Sequence, residues 1–120
     1  MAQVFKSVAV AAARAADDKK GEEIALFHPG SASPIADFIL LVTANSGPHL
    51  ETLEKMVTDA VKTFNLRCLH RAGSDQWRVL DFGGVLVHLM TEQTRAFYSL
   101  DKLYVGAPRV RWQVRKVLSK

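Results

Sequence analysis

The sequence predicts a single α/β or α+β domain, one mixed five-stranded sheet flanked by helices, and three observations carry that prediction. The stretch Trp77 to Met90, WRVLDFGGVLVHLM, has apolar and β-branched residues on both sides of Gly83-Gly84 and reads as a β-hairpin. Leu50, Leu53, Val57, Ala60, Val61 and Phe64 form the most regular helical stripe in the chain. The patterns run helix, two strands, helix, three strands, helix, and a sheet fed in that order mixes parallel and antiparallel pairs.

A chain of 120 residues with 48% hydrophobic and 23% charged residues has the balance of one globular domain large enough to need no cross-link. The sole cysteine, Cys68, excludes an intrachain disulfide and any multi-cysteine zinc site, and its place in LRCL makes it a buried structural thiol. The formal charge of +4 permits a partner with acidic or phosphate surface without requiring one. No run of eighteen apolar residues is present to span a membrane.

The first twenty residues are Ala-rich and free of acid until Asp17, a composition with some likeness to a targeting peptide. Val4, Val8, Ala12 and Ala15 recur at helical spacing, so the simpler reading is a first helix ending near Lys19-Lys20-Gly21. Glu23 to His28 then forms a short strand, and the two prolines and glycine of His28 to Pro34 make a loop. Asp37 to Thr43 is apolar after its first residue, as a strand buried on both faces should be. Ser46 is placed as N-cap of the second helix with Pro48 in its first turn, and Asn65 as its C-cap.

Leu66 to His70 reads as a strand and Ala72 to Asp75 as a loop before the hairpin. Thr91 caps a third helix with Glu92 near its positive end and Phe97, Leu100 and Leu103 or Tyr104 as the inward stripe, broken by Gly106 and Pro108. The domain is set at residues 1–108. Residues 109–120, with five Arg or Lys and no acid, form a basic tail compatible with a short amphipathic helix through Val110, Val114, Val117 and Leu118.

If the hairpin turns at Gly83-Gly84, geometry fixes the register: Phe82 opposite Val85, Asp81 opposite Leu86, Val79 opposite His88, Trp77 opposite Met90. Trp77, Val79, Asp81, Leu86, His88 and Met90 then share one face, and Arg78, Leu80, Phe82, Val85, Val87 and Leu89 the other. Both faces are largely apolar, so each should be covered by the chain or by a recruited partner.

Asp81 and His88 lie diagonally on one face, within reach of a hydrogen bond that would orient the imidazole as in half of a nucleophilic triad. Ser46, Ser31 and Cys68 are available nucleophiles, but none has a nucleophile-elbow context, and a structural or interface-facing pair is the preferred reading. His28, His49, His70 and His88 with Asp37 are conceivable metal ligands, yet no two have tight ligand spacing. Neither phosphate-loop pattern occurs, and the paired glycines are explained by the turn. The basic tail reads first as a solvated face and second as a contact for RNA phosphates, while Trp112 reads as packed back on the domain.

Trp77, Asp81, Phe82, Gly83, Val85, Leu86, Val87, His88, Leu89 and Met90, followed by Arg95, Phe97, Tyr98, Leu100, Asp101, Leu103 and Tyr104, resemble the signature of the ribosomal silencing factor family, also called Iojap-like. Asp37 to Thr43 with Ser46 and His49 is similar to the family's aspartate-led strand and S-x-x-H segment, so the resemblance spans about residues 2 to 105. Gly84 stands where aspartate or asparagine is common, Tyr104 where tryptophan is, and acids expected near Phe27 and at His70-Arg71 are missing.

The resemblance implies a nucleotidyltransferase-like topology without catalytic activity, cofactor or metal. It implies a cytoplasmic protein, with an organellar origin left open, that is homodimeric when free. It also implies docking on the fourteenth protein of the large ribosomal subunit, which blocks joining of the small subunit and represses translation. Trp77, Asp81, His88, Met90, Arg95, Tyr98 and Lys102 are the partner-binding residues expected on that basis, the aromatics supplying buried area and Arg95 and Asp81 orientation. Two alternatives remain: a small nucleotidyltransferase-like or hydrolytic enzyme using Asp37, Asp81 and His88, and an RNA-binding module using the tail.

Overall fold

In the computed structural model, which describes residues 2–29 and 36–113, the expected mixed sheet is present. Helix α1 (Ala2–Asp18) leads into β1 (Glu22–Phe27) and β2 (Phe38–Ala44), then α2 (Gly47–Lys62), β3 (His70–Gly73), β4 (Trp77–Asp81), β5 (Val85–Thr91), α3 (Glu92–Phe97) and a 3-10 helix, Leu100–Tyr104. The strand order is β1-β2-β5-β4-β3. Only the central β2/β5 pair is parallel, because α2 carries the chain back across the sheet between them. The other three pairs are antiparallel.

Both central strands are buried on both faces, as their continuous apolar runs require. One face, with Leu26, Leu40, Val42, Leu80, Phe82, Val85, Val87 and Leu89, packs under α1 and α2 through Val8, Ala9, Ala12, Ala13, Leu50, Leu53 and Val57. Small alanines let α1 lie close to the strands. The opposite face, with Phe27, Ile39, Leu41, Leu86 and Met90, has a thinner cover made by Ala36, Leu100, Tyr104 and Ala107. Over β4 that cover runs out, and Trp77 and Val79 are only half-buried.

The hairpin register is as expected: Trp77 pairs with Met90, Val79 with His88 and Asp81 with Leu86, and Phe82 N donates to Val85 O at 2.9 Å. Gly83 has φ +99°, a left-handed value that a side chain would strain. Gly84 serves a different need. A Cβ there would lie 2.3 Å from the ring of Phe5, which α1 lays across the turn.

The Ser46 cap is also found, its hydroxyl accepting from His49 N at 3.1 Å, with Pro48 in the first turn of α2. The helix stops at Lys62 with Thr63 as C-cap, and Asn65 (φ +63°) takes the left-handed position two residues later. In α1 the inward stripe is Val8, Ala9, Ala12, Ala13 and Ala16, whereas Val4 is exposed.

Four expectations are corrected, the first being Cys68, which is half-buried in the loop before β3 and not buried in a strand. The strand expected at Leu66–His70 lies at His70–Gly73, so the loop expected over Ala72–Asp75 begins after Gly73. All four β3 residues are exposed, and an edge strand held by main-chain bonds to β4 leaves no apolar signature. The third helix ends at Phe97; Ser99 turns left-handed (φ +50°) and the 3-10 helix follows, which puts Phe97 and Leu103 outside and only Leu100 and Tyr104 inward. The Asp81–His88 contact is not made. Asp81 Oδ1 instead accepts from Gly83 N at 2.9 Å, an Asx-type bond that closes the turn.

The start of the basic stretch is extended and adds to the β1 edge. Phe27 bridges to Arg109, and Val110 N donates to Leu26 O at 2.8 Å. Trp112 is buried in the core, its carbonyl accepting from Arg14 Nε at 2.8 Å. Residues 114–120, on which most of the amphipathic-helix expectation falls, lie outside the described residues.

Candidate partner-binding face

The expected site residues divide by what surrounds them. Thr91 ends β5 and caps α3, its hydroxyl accepting from Thr94 N at 3.3 Å, so α3 departs at the edge of the thinly covered face. Since α3 has only six residues before Ser99 reverses the chain, it cannot lay a long stripe on the sheet. Tyr98 meets Trp77 with ring centroids 5.0 Å apart, and Phe97 packs edge-on against Tyr98 at 4.9 Å. Phe97 is 78% exposed, Tyr98 55%, Leu103 68% and Val105 78%. Such a concentration of apolar surface beside a half-open sheet face has the makeup of an interaction site.

Beneath the exposed rings, Trp77 Nε1 donates to His88 Nδ1 at 3.1 Å. His88 is buried and its pKa falls to about 4, because burial penalises the charged ring. An acceptor Nδ1 places the neutral ring's proton on Nε2. His88 therefore holds the indole in place from within the domain.

Arg95 has a different place from the one expected. It is buried, its Nε and Nη2 binding both oxygens of Asp101 at 2.9 and 2.8 Å. Nη1 donates to Glu23 O at 2.7 Å and to Thr43 Oγ1 at 2.9 Å. Glu23 sits at an irregularity in the β1/β2 ladder with φ +46°. Arg95 thus ties α3 and the 3-10 helix to the sheet, and the hydrogen bonds it makes hold the Asp101 carboxyl below the usual carboxylate range. Met90 is fully buried. Of the seven expected residues, Trp77, Tyr98 and Lys102 reach the surface of this face, while Asp81 is half-buried at the far end of the hairpin.

Sequence reasoning also turned Phe97 and Leu103 inward, whereas both are exposed. Nothing in the sequence marks the break at Ser99, which is neither glycine nor proline. The groups of the alternative enzyme reading are separately engaged: Asp81 in the turn, His88 with Trp77, and Asp37 beside Gly84 through its main chain. The other imidazoles are likewise dispersed, His28 facing Asp37 O, and His49 lying between Asn45 N and Lys19 O. Among the described residues no group of three or more His, Cys, Asp or Glu is placed to hold a metal ion, and no helix is long and apolar enough to cross a membrane.

Comparison with known proteins agrees with the signature. A solved structure of a Chromobacterium violaceum protein shares the fold with a TM-score of 0.79 at 23% identity, covering 84% of this chain and 86% of that one. The ribosomal silencing factor RsfS of Bacillus subtilis is 30% identical over 105 residues, 86% of this chain and 89% of the relative. That of Treponema pallidum is 39% identical over 100 residues, 80% of this chain and 88% of the relative. The family model described as ribosomal silencing factor during starvation matches residues 2–119. With a signature that covers the hairpin and α3, relatives aligned over most of their length and a shared fold, this chain belongs to the ribosomal silencing factor family.

Proposed function

We propose that this protein represses translation by occupying the large ribosomal subunit so that the small subunit cannot join, and that Trp77, Tyr98, Phe97 and Leu103 form its docking face. The observation that supports the reading is the ladder of rings Phe97, Tyr98 and Trp77, the first two exposed and the half-buried third held from below by His88. Preorganised aromatics give large contact area at small entropic cost, the property of an interface hot spot. Lys102 and Asp101, exposed on the 3-10 helix that follows, supply a polar rim.

The partner implied by the family resemblance is the fourteenth protein of the large subunit. Blocking requires only occupancy, so the mechanism includes no chemical step, cofactor or metal. The protein acts in the cytoplasm and pairs as a homodimer when free.

Co-sedimentation with purified large subunits tests the reading. Wild type is expected to pellet with large subunits and to reduce subunit joining, while Tyr98→Ala and Phe97→Ala each bind about thirtyfold more weakly, the equivalent of about 2 kcal/mol. Absence of specific large-subunit binding by the wild type would overturn it.

A further inference from the structure

A second surface lies at the other end of the hairpin. Lys62, Asn65, Leu66, Arg67, Leu69 and Phe82 line a notch of about 390 Å³, within the ~300–1,000 Å³ range of ligand clefts. Its position follows from main-chain geometry: Leu69 N donates to Asp81 O at 2.7 Å, and a Cβ on Gly83 would stand 3.6 Å from Leu69 Cδ1. Trp77 is five residues from Phe82 along the chain, about 17 Å in an extended strand, and faces the opposite side of the sheet.

The floor is apolar and the rim is cationic. Phe82 is buried, Leu66 half-buried, and Leu69 61% exposed. Lys62 and Arg67 are exposed, and among the described residues neither takes part in an ion pair, whereas Lys55, Arg71, Arg78 and Arg95 all do. No acidic residue occurs between Asp59 and Asp75. Asp81, the carboxylate next along the hairpin, is turned onto Gly83 N.

We infer that this notch binds single-stranded RNA, with Lys62 and Arg67 on consecutive phosphates and an unstacked base lying over Leu66 and Leu69. Two unpaired cations beside an apolar shelf match the two parts of a nucleotide, its phosphate and the face of its base. An acidic peptide would use the cations and leave the shelf bare. The choice of RNA also rests on the proposed ribosomal setting, where looped RNA is the abundant polyanion.

The test is fluorescence anisotropy of a fluorescein-labelled, mixed-sequence single-stranded RNA of about twelve nucleotides, titrated with the full chain across a salt series. The Lys62→Ala/Arg67→Ala double variant should bind about tenfold more weakly at 0.1 M salt, with a log–log salt slope shallower by about 1.4, the value for two released counterions on a single strand. Leu69→Ser should lose affinity while keeping the slope. Lys55→Ala, on the same helix but paired with Asp59, should change neither.

These side chains are exposed, so unchanged thermal midpoints should confirm that folding is intact. Wild-type binding by the double variant, or equal displacement of the RNA by polyglutamate, would overturn the inference. The assay contains no ribosome, so its failure leaves the subunit co-sedimentation result standing, and failure of that co-sedimentation leaves this one standing.

Discussion

Trp77 and His88, directly diagonal across the β4/β5 ladder, share one hydrogen bond from the indole Nε1 to the imidazole Nδ1 at 3.1 Å. The bond requires a neutral His88, and burial keeps it neutral down to about pH 4. Because the unfolded chain protonates this histidine near pH 6.5 and the folded chain only near 4, the unfolded state holds more protons between those values. Stability is therefore full above about pH 6.5 and falls as the pH drops. From pH 7 to pH 5 the loss at this site should be about 2 kcal/mol. Urea unfolding at both values should show that loss in wild type and a clearly smaller one in His88→Gln.

Arg95→Ala should act on stability before it acts on binding. It leaves Glu23 O, Thr43 Oγ1 and the Asp101 carboxylate without their donor, and a buried guanidinium so engaged should cost about 3 kcal/mol when removed. Asp101 is itself more than half exposed, so Asp101→Asn should cost only about 1 kcal/mol. The Asp101 carboxyl lies below its ordinary range, so its contribution is complete above the unfolded carboxylate value and is lost only as acid reaches the lower folded one. Comparing wild type with Asp101→Asn by denaturant titration at pH 5 and pH 3 would isolate this window, since His88 titrates alike in both proteins.

The exposed rings should show the reverse pattern. Phe97→Ala and Tyr98→Ala should leave the unfolding free energy within about half a kcal/mol of wild type, as surface changes do, while weakening large-subunit binding about thirtyfold. Trp77→Ala should lower both quantities, since the indole is half-buried and bonded to His88. Calorimetry and co-sedimentation on the same preparations would display the contrast.

Gly84 is matched by Phe5. A side chain at 84 would meet that ring at 2.3 Å, so Gly84→Asp should cost about 2 kcal/mol by overpacking. In a Phe5→Ala background the same change should cost well under half as much. A double-mutant cycle by denaturant unfolding measures the coupling directly.

Trp112 should behave as a core residue despite its place near the end of the chain. Trp112→Ala should lower stability by about 3 kcal/mol, because the indole fills space against the α1/α2 side of the sheet. Removing residues 114–120 while keeping Trp112 should preserve the bonds of Val110 and Arg14, and thermal unfolding of the two variants would show the difference.

What the sequence determined by itself is the part of the molecule governed by local periodicity. The hairpin register came from the two glycines and the two-residue period of a strand, the α2 start from Ser46 and Pro48, and the buried central strands from their apolar runs. These signals survive because a one-residue slip would invert every side chain. The edge strand β3 escaped detection because it is held by main-chain bonds, which carry no side-chain pattern. Only the tertiary structure decided which face of the 92–104 segment is inward. Arg95 outcompetes Phe97 for the interior because four hydrogen bonds await its guanidinium, and the reversal at Ser99 then sends the aromatic rings outward. Periodicity ranks residues by apolarity, and it cannot see partners supplied by strands more than fifty residues away. The docking face therefore exists as a consequence of packing, whereas the hairpin beneath it was written in the sequence.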